Sequence, residues 1–207
     1  MTNIHPRKND DGQPVTILHP SAASPLSNWE SADMIATVVP DGPMPVSLNG
    51  IAFAPWQPPA TDAEWATVTG QADIEEPPFS APTGKHAAAG VVIEEPDGRI
   101  WLVAPTNGFG GYKKTFPKGR PESGASLQAT AIREAFEEAG LKVDITGFLA
   151  DLPRSTTRTR YYTARRTGGT PAAMGWESQA AHLVPRSRLA EFLTNANDAP
   201  FIKLLGG

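Results

Sequence analysis

The chain has 207 residues, is 40% hydrophobic and carries a formal net charge of −4, which suits one folded unit, or one with a substantial extension. With no cysteine, disulfides, thiolate chemistry and Cys-ligated zinc are excluded, and the acidic balance argues against broad nucleic-acid or membrane-surface binding. Its 21 prolines and 19 glycines imply long connecting segments, with helix confined to a few places.

Residues 1–28 read as irregular and polar. The first 25 lack the apolar core of a signal peptide, and no apolar run in the chain approaches spanning length, so the expected location is the cytoplasm with no membrane partner. Residues 29–70 read as a small packed layer. Within it, Asn49-Gly50 favours a type I′ turn that pairs Leu48 with Ile51 and Val46 with Phe53, placing all four on one face. Trp56, Trp65 and a short helix over Ala60–Val68 complete the layer. Some 30 ordered residues bury too little surface to stand alone, so this part of the 1–85 extension needs the rest of the chain, or a second subunit in a homodimer, to pack on.

Residues 86–207 read as the main folded unit. Ala89–Glu94 and Ile100–Ala104 are apolar, β-rich runs joined across Pro96-Asp97-Gly98, a hairpin signal. Residues 107–114 form a glycine-rich loop that leads to a short strand near Thr115–Phe116. Further strands are expected at 143–152, 159–165 and 180–184, and a helix from Ser187 to Asn195. Strands alternating with two helices suggest an α/β sandwich.

Residues 119–141 are the most informative stretch. Ser126 is a good N-cap, Gly140 stands where a left-handed C-cap is expected, and Leu127, Ala131, Ile132, Ala135, Phe136 and Ala139 form an apolar stripe between them. On another face of this helix stand Glu134, Glu137 and Glu138. Like charges at three- and four-residue intervals repel by about 0.2–0.5 kcal/mol per pair, and the dipole disfavours acids in the last turn. A helix selected for stability alone would avoid this pattern. A hard divalent cation rewards it, since Mg²⁺ takes carboxylate oxygens, keeps several waters and bridges to phosphates.

The stretch resembles the Nudix box, G-x5-E-x7-R-E-U-x-E-E-x-G-U with U aliphatic, through Gly119, Arg133, Glu134, Ala135, Glu137, Glu138, Gly140 and Leu141. One position departs, because the first motif glutamate falls on Ala125. Glu122, three residues upstream, is a partial substitute. The resemblance implies a Nudix-type α/β/α sandwich with a mixed sheet and a Mg²⁺- or Mn²⁺-dependent pyrophosphohydrolase that attacks phosphorus in a diphosphate with water. It also implies Glu137 and Glu138 as main metal ligands, Glu134 as ligand or base, the Gly119 carbonyl as a further ligand and Arg133 as the residue that orients the glutamates. A second acid is commonly supplied in the family from a later loop, and Glu177, beside Trp176, is the candidate here.

Cations for substrate phosphates flank the box: Lys113, Lys114, Lys118 and Arg120 before it, Arg154, Arg158 and Arg160 after it. Alternation sets Arg158 and Arg160 on the same face of a strand, and guanidinium suits bidentate phosphate contacts. Lys114, Lys118, Arg120, Arg158 and Arg160 are therefore the substrate-binding set. By resemblance, Thr157 stands where the ADP-ribose subgroup carries a proline, while Tyr161 and Tyr162 lie near the tyrosine of diadenosine-polyphosphate enzymes. Lys-Lys-Thr-Phe-Pro-Lys-Gly-Arg likewise resembles enzymes acting on diadenosine polyphosphates or diphosphoinositol phosphates. A highly phosphorylated small molecule is thus favoured over ADP-ribose or another nucleotide sugar. Two other classes stay open: a non-catalytic Nudix binding or regulatory domain, which Ala125 permits, and an interaction protein built on residues 1–85.

Overall fold

The computed structural model describes residues 3–108 and 111–206, so the middle of the glycine-rich 107–114 stretch lies outside the described residues. Strand β1 (Ala36–Val38) and the hairpin β2 (Ser47–Leu48) and β3 (Ile51–Ala52) precede helix α1 (Asp62–Ala66). Then follow β4 (His86–Glu94), β5 (Arg99–Pro105), β6 (Lys118–Gly119), α2 (Leu127–Ala139), β7 (Leu141–Pro153), β8 (Thr157–Gly169) and β9 (Ser178–Pro185). Helices α3 (Leu189–Phe192) and α4 (Ala199–Leu205) close the chain. The main sheet runs β1-β9-β5-β4-β8-β7, with β6 on β4. β4 and β8 are parallel, whereas their neighbours pair antiparallel, so the sheet is mixed.

Period-two alternation divides the sheet's side chains between two cores. Val91, Ile93, Trp101 and Val103 face α2, meeting Ala131, Ile132 and Ala135. Val92, Ile100 and Leu102 point to the other face, where Leu189, Phe201 and Leu205 of α3 and α4 cover them. The result is the expected α/β/α arrangement.

The extension packs on this same chain. β1 adds an edge strand to β9, Trp29 packs against Phe53 and Trp101, and Trp56 and Trp65 lie against Phe136 of α2. Helix α1 starts on a capping box, Thr61 with Glu64. Asn49 and Gly50 both have positive φ, 51° and 80°, as the I′ turn requires. Buried Arg166 ties the hairpin down, pairing with Glu95 and donating to the Leu48 carbonyl.

Four local expectations need correction. Val46 does not share the buried face: Phe53 fills the space beside Trp29 and Trp101, and Val46 is left 88% exposed. Thr115 makes only an isolated bridge to Val103, and the ladder forms instead at Lys118–Gly119, past Pro117 with its missing N–H. The 187–195 helix shrinks to a 3-10 turn and α3, while an unforeseen α4 begins after a second 3-10 turn, Ala196–Asp198, that Asn195 caps. β1 lies in the 29–70 packed layer but joins the main sheet as a strand that is not expected there, because three residues carry no periodicity of their own.

Candidate active site

Helix α2 forms where its caps and stripe dictate. The Ser126 hydroxyl accepts from the Ala129 amide at 3.0 Å, and Gly140 ends the helix at φ 67° with its N–H on the Phe136 carbonyl. A side chain at Gly140 would strain that conformation and overlap the Thr170 carbonyl. With one face committed to the sheet, Glu134 and Glu138 project beneath the Pro117–Arg120 segment and are buried, while the Glu137 side chain stays 45% exposed.

That segment approaches the acids closely. β6 is held on β4, opposite Ala89 and Gly90, and the Lys118 amide donates to Glu138 Oε2 at 3.2 Å. Gly119 is required here, since a Cβ would overlap the Glu134 carboxylate. Arg133 organises the rim: its guanidinium donates to the Arg120 carbonyl at 2.7 Å and reaches Glu122 at 3.3 Å, Glu134 at 3.3 Å and Glu137 at 3.5 Å. Glu122 thus makes a contact with Arg133 from outside position 125.

Glu177 reaches the same place from 39 residues beyond Glu138 because its loop is pinned on both sides. Gly175 donates its N–H to the Glu137 carbonyl at the end of α2, and Thr106 donates to the Glu177 carbonyl, at 2.7 and 2.8 Å. The electrostatics follow from this crowding. Burial first, and then Glu138 and Glu137, push Glu134 well above the ordinary carboxylate range. Burial raises Glu138 to about 7, against the opposing influence of Lys118. Glu137 and Glu177 are also raised by desolvation, in both cases with Asp10 adding to it. Among the described residues no three such side chains close around one point; the carboxylates are gathered but held apart by Arg133, the Lys118 amide and each other.

Two hollows flank the Lys118–Arg120 segment. One, of about 500 Å³, is lined by Tyr112, Arg154, Ser155, Glu138 and Trp176. The other, of about 550 Å³, is lined by Glu134, Glu137, Arg133, Arg7 and Asp10. Lys118, Gly119, Arg120, Trp176 and Glu177 border both.

The structure therefore brings together Gly119, Arg133, Glu134, Glu137, Glu138, Glu177, Lys118 and Arg120. It does not bring Lys114, Arg158 or Arg160 to either hollow. Lys114 Nζ lies 5.0 Å from the Phe192 ring centre, and burial lowers its pKa. Arg160 is engaged elsewhere: it is buried, pairs with Asp151 and Glu76 at 2.8 Å each and donates to the Pro77 carbonyl. Arg158 does share its face, as alternation requires, but stands over Phe79 near Asp151. Arg154 borders the first hollow with its donors already taken by Tyr161, Asp198 and the Asn197 carbonyl. The sequence reading missed Tyr112, Arg7 and Asp10 as lining residues, and nothing local in the sequence marks them.

A NUDIX domain model matches residues 84–205 of this chain. An RNA pyrophosphohydrolase of Caulobacter vibrioides is 39% identical over 59 residues, 28% of this chain and 34% of that protein. The chain thus spans about a third of the curated relative's length. Among solved structures, the fold is similar to a MutT protein from Methanosarcina mazei Go1, with TM-score 0.49, 13% identity and coverage of 60% of this chain and 95% of that one. It is also similar to a C. elegans Ap4A hydrolase, with TM-score 0.47, 19% identity and coverage of 56% and 92%.

Proposed function

The chain belongs to the Nudix family, and on that premise we propose that it is a divalent-metal-dependent hydrolase of a diphosphate linkage in a nucleoside-linked, polyphosphorylated small molecule. The single observation behind this reading is the gathering of Glu134, Glu137, Glu138 and Glu177 beside two hollows that share Lys118, Gly119 and Arg120. The donor set fits Mg²⁺ or Mn²⁺, because closely spaced carboxylates with raised proton affinity are what a hard dication relieves. Glu137, Glu138 and Glu134 would hold it, with the Gly119 carbonyl. When bound, the ion supplies neutralisation of phosphate charge, acidification of water and alignment of the leaving oxygen.

The chain's own residues do the rest. Lys118 and Arg120 border both hollows and meet phosphate oxygens wherever the chain of phosphates crosses between them. Arg133 fixes the glutamates. Glu134 is sealed beneath Gly119 and Arg133, so it suits a fixed ligand; exposed Glu177, with a raised pKa, suits proton uptake from the attacking water. Tyr112 and Trp176 give the first hollow aromatic walls, which favour a nucleobase over an inositol ring. Lys118, Arg120 and Arg7 favour several phosphates, so a diadenosine-polyphosphate type of substrate should exceed ADP-ribose in kcat/KM. Steady-state kinetics on the two compounds test this, and faster cleavage of ADP-ribose would reverse the assignment.

Protons and metal compete for the same oxygens. The site binds more protons when empty than ordinary carboxylates do, because Glu134 and Glu138 are raised. Apparent Mn²⁺ affinity should therefore rise from pH 5 to pH 8, with proton release on binding. Calorimetry in buffers of different ionisation heat reads the protons directly; a pH-independent affinity would contradict the ligand set.

Glu122 should matter slightly. Its side chain is 52% exposed, where an ion pair contributes about 0.2–1 kcal/mol. Glu122→Ala should thus weaken apparent Mg²⁺ affinity by about 1.4- to 5-fold. Ala125→Glu, which restores the motif residue, should act in the opposite direction; identical titration curves for both variants would show that the Arg133 rim does not influence the metal.

A further inference from the structure

The second hollow owes part of its wall to residues far outside the 84–205 match. Residues 3–18 form an arm with its own internal order. His5 donates its N–H to the Val15 carbonyl, Ile17 to that of Asn3, and Ile4 bridges Thr16. The tip turns through Asn9, which exchanges hydrogen bonds with Gln13, and Gly12 takes φ 72° there. Both ends of the arm are fastened to the sheet. The buried His5 ring meets the Ser178 carbonyl through Nε2 at 3.0 Å, and Leu18 donates to the Thr106 carbonyl at 3.0 Å.

This fastening carries two charged groups to the acid cluster. Asp10 accepts from the Trp176 indole N–H at 3.1 Å, next to Glu177. Arg7 lines the same hollow as Glu134 and Glu137. Its Nη2 meets Asp41 at 3.2 Å, while its Nη1 is buried and has no hydrogen-bond partner among the described residues. A buried guanidinium N–H left unpaired is costly; the hollow also holds Lys118 and Arg120 beside its carboxylates, and a phosphate oxygen entering there is an acceptor that would satisfy Arg7.

We propose that the arm of residues 3–18 is part of the substrate site, with Arg7 Nη1 donating to a phosphate oxygen of the bound compound and Asp10 holding Trp176 against it. This rests on the diphosphate reading above, to which it adds the phosphate-binding residue on the carboxylate side of the segment. Arg7 stabilises bound substrate and makes no contact that arises only during the reaction, so its loss should raise KM and leave kcat nearly unchanged.

The test uses the full chain and two readouts. Inorganic diphosphate is titrated into chelator-treated protein, followed by tryptophan fluorescence, and KM and kcat are measured with a diadenosine polyphosphate. Arg7→Gln should weaken diphosphate binding about tenfold or more and raise KM by a similar factor, as expected for one charge-assisted hydrogen bond, with kcat within about threefold. Arg7→Lys should recover part of the loss. The thermal midpoint should stay near wild type, because the Arg7–Asp41 pair is partly exposed, at 35% and 64%, where an ion pair contributes little. Equal affinity in wild type and Arg7→Gln, or no diphosphate binding by wild type, overturns the proposal even if hydrolysis is normal. Arg7-dependent binding without hydrolysis of any diphosphate compound would instead retire the hydrolase reading and leave the arm's role standing.

Discussion

Glu138→Gln should lose at least about a hundredfold in turnover, the order expected when a charge essential to the transition state is removed, and should gain stability in the absence of metal. The two effects share one cause. Glu138 is buried and its folded-state pKa is raised to about 7. Its ordinary value is lower, so between the two the folded state binds more protons than the unfolded state, and stability falls as pH rises through that window. At pH 8 the folded protein carries the full destabilisation of a buried charge, on the order of 1–3 kcal/mol. Glutamine keeps the shape, and its carbonyl can still accept from the Lys118 amide, but there is no charge to bury. A higher melting temperature with failed catalysis at pH 8 is the expected pair, and the stability gain should vanish at pH 4, where wild-type Glu138 is protonated. Wild-type turnover in the variant would remove Glu138 from the site; a lower melting temperature at pH 8 would contradict the burial argument.

Deleting residues 1–70 should have the second largest effect, on folding. β1 would leave the edge of β9, and Trp29, Val38, Leu48, Trp65 and Val68 would leave the core they share with Trp101 and α2. Burying one large side chain contributes about 1.5–3 kcal/mol, so losing five such residues removes about 7.5–15 kcal/mol, as much as the 5–15 kcal/mol that holds a typical domain. The truncated chain should be insoluble or unfolded. Trp29→Ala gives a graded version: about 3–5 kcal/mol lost, read by urea denaturation, with metal-dependent activity per folded molecule unchanged. A soluble truncation with the wild-type melting temperature would show the extension to be an appendage.

The parts of the molecule that were legible in the sequence share a physical character. Helix α2 announces itself because its cap, its stripe and its left-handed terminator all lie within a few turns, and the carboxylates follow from the same spacing. The Asn49-Gly50 turn is legible for a similar reason, since two positive φ values are local demands. What could not be read depends on partners remote in the chain. Alternation correctly set Arg158 and Arg160 on one face, yet it was silent about Glu76, 84 residues from Arg160, which claims that guanidinium. The arm is the extreme case: His5 meets a carbonyl 173 residues away, and Arg7 and Asp10 sit in a stretch without periodicity. Val46 shows the converse limit, since a correct pairing register did not provide anything for its side chain to pack on.

Turnover of a diadenosine polyphosphate by chelator-stripped protein, measured as Mg²⁺ or Mn²⁺ is added back, tests most directly whether the box glutamates hold a catalytic metal. Wild type should be inactive when stripped and regain activity with saturating metal, and Glu138→Gln should stay inactive at every metal concentration. Undiminished hydrolysis in excess chelator, or equal metal-dependent rates in the two proteins, would contradict it.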